Sequence, residues 1–143
     1  MAVVVTVPNH FKYLLGTKAI DFANDAFNII LMNTTFAFNK DTHTLLSEVT
    51  ADQLASANGY TQDSEVLAGV AVAEDDTDDR LEVTWSDPVW TAAAGSIGPT
   101  GAAIVYDDTV ANDPIVMCID FGTDYTVVDT ATFSVKSIAF YGA

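Results

Sequence analysis

Four aspartates, Asp75, Asp76, Asp78 and Asp79, fall within five residues, and a second acidic pair, Asp107 and Asp108, closes an apolar run. Clustered carboxylates are the oxygen ligands that Ca²⁺ takes, but the first group lacks the glycine and the distal glutamate of a calcium loop. A solvated hairpin tip accounts for the same residues. Asp107 and Asp108 have the chemistry for acid/base work, but a turn with Asx-type hydrogen bonds explains them more cheaply. His10 and His43 have no partner at metal-ligand spacing, and no serine lies in a GxSxG elbow. The single cysteine, Cys118, excludes an internal disulfide and a multi-cysteine metal site, and its apolar neighbours make it a small core residue. Trp85 and Trp90 have faces able to stack on a sugar ring, although Trp85 alternates with Leu81 and Val83 as a core residue would. No nucleophile–base pair emerges, so the residues call for neither enzyme activity nor a cofactor.

The elements that must position these groups are mostly strands. Residues 102–122, AAIVYDDTVANDPIVMCIDFG, read as two β-rich runs joined by a turn-forming loop. In the second run Ile115, Met117, Ile119 and Phe121 share one face and Val116 and Cys118 the other, as in a central strand covered on both sides. Earlier in the chain, Asn9 is a candidate cap for a short helix that presents Phe11, Leu14 and Leu15 and stops at Gly16. Residues 26–32 read as a strand, and 33–44 as a polar loop carrying Phe36 and Phe38. Thr50 and Gln53 have capping-box spacing, which predicts a turn or two of helix over 51–57, ended by Asn58-Gly59. Residues 66–73 and 81–86 read as strands around the charged turn 74–80, with a short strand over 89–92 and a glycine-rich loop over 94–101. Residues 124–130 lead into a last strand. There Phe133 and Val135 share one phase and Ile138 and Phe140 the other, which predicts a bulge or a bend onto a second sheet.

At 143 residues the chain fits one domain with a real core. Half of it is hydrophobic, which excludes a disordered chain, and no apolar run approaches the roughly 18 residues of a membrane span. Twenty acidic residues against five basic ones give a formal charge of −15. That balance repels phosphates and anionic membranes, so nucleic acid and membrane are poor partners and a basic protein surface a better one. The opening residues MAVVVTV lack the basic flank and cleavage site of a signal peptide. They read as an N-terminal arm or strand over 1–8, ended by Pro8 and followed by one domain over 9–143. Val3, Val4, Val5 and Val7 make the arm a candidate interaction surface, able to add a strand to a neighbour's sheet edge, and Trp90 is a candidate surface aromatic. The expected fold is mainly β, an antiparallel β-sandwich (jelly-roll-like) with one or two short helices.

The order of five segments, NDAFNIILMNTTF, DTHTLLSEVTADQLASANGYTQDSEVLAG, VTWSDPVW, AAIVYDDT and PIVMCIDFG, resembles a set of small structural proteins of tailed bacteriophages and related viruses. The chain departs from that pattern at Gln62-Asp63-Ser64, where glycine is usual, and in a longer loop over 92–101. The resemblance implies a virion protein without catalytic residues, metal or cofactor. Its leading form is a head decoration (cement) protein on the capsid exterior, present in the host cytoplasm during assembly. There it would bind the major capsid protein as a homo-oligomer, a trimer at local threefold positions. A tail or tail-tip component that binds a receptor or glycan is the alternative it implies.

Overall fold

The computed structural model describes residues 3–142. The chain is mainly β, with antiparallel sheets and one short α-helix. Its elements are β1 (Val4–Thr6), α1 (Asn9–Gly16), β2 (Phe27–Met32), β3 (Val66–Leu67), β4 (Ala71–Asp75), β5 (Arg80–Thr84), β6 (Val89–Thr91), β7 (Ile97–Asp107), β8 (Ile115–Val127), β9 (Thr132–Ser134) and β10 (Ala139–Gly142). They form a five-stranded sheet in the order β1-β8-β7-β2-β3, a three-stranded sheet β10-β5-β4, and the pair β6-β9. No helix among the described residues is long and apolar enough to cross a membrane.

The hairpin β7–β8 lies at the centre of the large sheet, with β2 outside one strand and β1 outside the other. One face carries Phe27, Ile29, Leu31, Ala103, Val105, Met117 and Ile119, which join Val83, Trp85 and Phe140 of the smaller sheet and Phe11 of α1 in a single buried cluster. The other carries Ile30, Met32, Ala102, Ile104, Tyr106 and Cys118, covered by Leu46, Val49, Phe36 and Phe38. Residues 33–54 therefore serve as an irregular lid. Hydrogen bonds from Leu46 N to Asp113 O, Ile115 N to Thr44 O, Asn33 N to Asp52 O and Leu54 N to Leu31 O tie it down. Just after it, Asn58 and Gly59 both take positive φ, the backbone of a type I′ turn. A Cβ at Gly59 would collide with the Thr91 carbonyl, so glycine is required there. The turn delivers the Tyr60 hydroxyl, which accepts hydrogen bonds from Leu31 N and from Gln53 Nε2, both at 3.0 Å.

Several expectations are corrected. Ile115 does not share a face with Met117: Val105 pairs with Met117 but Tyr106 with Ile115, so a bulge absorbs Val116 and returns Ile115 to the lid side. Asn9 is the first helical residue, not the cap; Pro8 precedes it in extended geometry, and the Asn9 amide donates to Asp41. The expected helix over 51–57 is only a 3₁₀ turn, Thr50–Asp52, because Gln53 turns inward to Tyr60. The apolar stretch 66–73 divides into β3 and β4 at Gly69, whose positive φ bends the chain from one sheet to the other. The glycine-rich loop ends early, since β7 begins at Ile97 and pairs with Val127 across an irregular register. The phase change after Val135 is the expected move between sheets: β9 pairs with β6, whereas β10 pairs with β5.

The two-sided burial of β8 gives a direct test. Ile119→Ala should lower unfolding free energy by about 2–5 kcal/mol, as deletion of a buried aliphatic side chain does. Asp108→Ala, at an exposed position of the loop, should change it by no more than about 0.5 kcal/mol. Urea unfolding of the two variants measures both.

Candidate interaction surface

The arm is part of the domain. Val4 pairs with Asp120, Val5 with Ile119 and Thr6 with Cys118, so β1 forms an edge of the large sheet within its own chain. The arm, expected to pair outside its own subunit or to lie against the capsid, thus pairs first within its own chain; residues 1 and 2 of it lie outside the described residues. Directly opposed residues of an antiparallel pair share a face, which places Val5 beside Ile119 and Val4 beside Asp120. Val3, Val4 and Val5 are 59%, 54% and 52% exposed. Among the described residues no strand covers the outer edge of β1, so its backbone groups on that side face solvent. Val7, by contrast, packs against the large core cluster and is an anchor, not a contact residue.

Beside β1 a groove of about 500 Å³ opens. Buried Ile119, Phe121 and Val135 form its base, and exposed Val3 and Tyr125 stand at its margin with half-buried Phe133. Phe121, Tyr125 and Phe133 make an aromatic triad with ring centroids 5.8–6.0 Å apart, two of the three pairs steeply inclined. On a chain with twenty acidic residues the groove lining holds none, and Lys136 is its one charged side chain. An apolar edge and an acid-free aromatic groove with one lysine at its lining thus adjoin on an otherwise anionic protein. Tyr125 and Phe133 were not read as contact residues from sequence. They lie beyond the central run: the long continuation of β8 to Val127 brings Tyr125 to Phe121, and β9 brings Phe133.

Trp90 is not at this surface, which corrects its reading as an interaction residue. It is 4% exposed and packs between Tyr60 and Phe133, because β6 turns its middle residue inward. Trp85 is buried against Phe22 and Phe27. Cys118 is buried under the lid, and burial pushes its thiol up to about 12, out of reach of thiolate chemistry at neutral pH.

The acidic groups divide. Asp75 closes the β4–β5 turn, accepting from Thr77 N and Asp78 N at 3.2 Å each, and the Asp78 amide in particular holds its carboxyl below the ordinary range. Arg80, the only arginine, meets Asp75 at 3.2 Å and Asp78 at 3.3 Å while its guanidinium lies over the Tyr141 ring. The hairpin tip is therefore a net acidic turn closed by Asp75 and partly neutralised by Arg80. Among the described residues no group of three or more His, Cys, Asp or Glu side chains is arranged to hold a metal ion. Asp107 differs from its exposed neighbour Asp108. It does make the expected Asx-type turn, Oδ1 accepting from Thr109 N at 2.8 Å and Val110 N at 3.1 Å, but the residue is fully buried. Burial first, and then the Asp25 carboxyl beside it, push its carboxyl up to about 7. His43 accepts from Asn39 N and stacks on Phe36 in the lid, and His10 lies on α1 near Tyr13.

Comparison with family models, curated proteins and solved structures gives no match to this chain.

Substitutions should separate surface from core. Trp90→Ala should cost about 3–5 kcal/mol in unfolding free energy, the price of a buried aromatic. Val4→Lys should change it by less than about 0.5 kcal/mol while weakening binding of a hydrophobic dye at the edge. Denaturant melts and dye fluorescence report the two effects.

Proposed function

We propose that this protein is a virion structural protein, a capsid decoration (cement) protein that binds and stabilises the major capsid protein lattice. The observation that carries the reading is the solvent-facing valine strand β1 beside the Phe121–Tyr125–Phe133 groove. An extended segment of a capsid subunit would continue the large sheet at β1 and seat an apolar side chain in the groove, the strand-addition mode of recognition. Main-chain hydrogen bonds give such a contact affinity, and the groove gives it register. One three-residue strand is a small interface, so a trimer would multiply a weak contact by presenting three edges together. The segment resemblance to small phage structural proteins supports the same reading, and the acidic exterior suits a basic outer capsid surface.

The second reading, a tail or tail-tip module that binds a glycan, draws on a different place. Phe36 shares a cavity of about 320 Å³ with Asn33, Thr34, Thr123, Asp120 and Asp124, an aromatic beside paired carboxylates of the sort that receive sugar hydroxyls. Trp90 contributes nothing to it, being buried elsewhere.

Binding to undecorated heads tests the first reading. The double variant Val3→Lys/Val5→Lys should melt like the wild type yet lose at least about tenfold in affinity, roughly 1.4 kcal/mol. Wild-type occupancy by the folded variant would count against docking at β1. Copy number per particle discriminates the locations: hundreds favour the head, a handful the tail tip.

A further inference from the structure

Asp107 Oδ2 is a buried carboxylate oxygen with no hydrogen-bond donor, at the end of β7 where the chain turns. Its other oxygen is occupied by the two amides of its own turn. The group beside Oδ2 is a second carboxyl, that of half-buried Asp25. Asp25 repeats the arrangement: its Oδ2 accepts from Asp21 N at 3.0 Å, closing the loop that follows α1. Each carboxyl thus spends one oxygen on its own turn, and two carboxyls meet with no donor between them. Two backbone contacts hold the loops together at this point, Ala26 N donating to Thr109 Oγ1 at 2.7 Å and Asp108 N to Ala26 O at 2.8 Å.

Something positive must lie between two such groups, because like charges in a desolvated contact cannot both persist without cost. The charged and titratable groups acting at this end of the sheet are Asp21 and Asp25 from the loop after α1, Asp108 and Asp113 from the hairpin loop, Asp63 from the loop before β3, and Tyr106. None is basic. With no third side chain among the described residues arranged for a metal, a single proton is the smallest charge that satisfies both free oxygens. We propose that Asp25 and Asp107 are a proton-sharing pair that clasps the loop after α1 onto the β7–β8 loop, and that the clasp opens when the pair loses its proton. The loop carries Phe22, which packs on Phe11, Phe27, Trp85 and Phe140, so opening loosens α1 against the core.

The direction of the pH effect follows from Asp107. Its folded-state value is raised, to about 7 from an ordinary 3.8, so between those values the native state holds a proton that the unfolded chain has released. Stability from this group is greatest in acid and is lost as pH rises towards and through neutrality.

Asp107→Asn is the informative variant. It retains an oxygen for the turn amides and turns a permanent N–H donor towards Asp25, imitating the protonated pair at every pH. Thermal melts from about pH 4 to pH 8, followed by the fluorescence of the buried Trp85 and Trp90, should show the wild-type Tm falling across the range. Asp107→Asn should remove most of that slope and melt about 5 °C or more above the wild type at the alkaline end. Asp25→Asn supplies the donor from the other side and should do the same, which keeps the test decisive if Asp107→Asn fails to fold. A wild-type slope in the folded variants overturns the proposal. So does restoration of the wild-type Tm at alkaline pH by millimolar CaCl₂ beyond KCl of equal ionic strength, since the shared charge would then be a metal ion.

Discussion

The fold depends on the burial of one antiparallel pair from both sides. In β7 and β8, Ala103, Ile104, Val105, Val116 and Met117 have at most a trace of exposure, so neither face of this half of the hairpin meets water. The ladder between the strands satisfies their main-chain groups, but each face still needs an apolar cover. The chain supplies two unlike covers. The smaller sheet, the β6–β9 pair and α1 close one side with aromatic and aliphatic side chains. The other is closed by a lid with almost no regular structure, held by main-chain hydrogen bonds to the sheet and by Phe36, Phe38, Leu46 and Val49. Because the longest strands occupy the centre, the sheet edges fall to its two shortest members, β1 and β3. Brevity blunts an edge strand, and at β3 two residues leave little to pair with. β1 has three, all on an apolar stretch, and it borders the groove. The candidate docking edge is thus a consequence of where the long hairpin sits.

Much of this arrangement was legible in the sequence. The apolar periodicity of residues 102–122 announces a doubly covered pair, and the phase conflict between Val135 and Ile138 announces a change of sheet. What was not legible shares a physical cause: side chains choosing partners far away in sequence. Thr50 and Gln53 have the spacing of a helix start, yet Gln53 is worth more bonded to Tyr60 in the core than at the head of a helix. Val116 is one residue too many for the register with β7, and no local pattern distinguishes a bulge from an ordinary strand residue. The candidate surface was half visible. An unbroken valine run marked the arm, but its pairing with β8 and the aromatic groove beside it depend on residues more than a hundred positions away. Trp90 misled because a tryptophan in a three-residue strand, between Val89 and Thr91, reads alike whether its strand turns it outward or inward. Asp107 misled for a related reason: its Asx turn was predictable, while its burial comes from Asp25 and the loop after α1.

The anionic charge constrains where each of these features can occur. A chain with so few cations has little means of neutralising a carboxyl brought inside, and its one arginine is committed to the β4–β5 turn. Acidic side chains therefore stay where water reaches them, on loops and on exposed strand positions such as Asp120 and Asp124, and the buried Asp107 is the exception that a shared proton makes tolerable. The same constraint keeps acids out of the groove, since a carboxylate there would be desolvated by any apolar occupant. The clasp and the groove lie at opposite ends of the central pair, one built from residues 21–26 and 107–110, the other from β1 and residues 119–136. Between them runs a stretch of fully buried ladder that neither feature enters. Opening the first releases Phe22 and α1 while leaving the pairing of Val4 and Val5 with β8 in place. The two properties are separable by construction: a pH response that loosens the helical side of the core, and an edge that stays rigid enough to receive a strand.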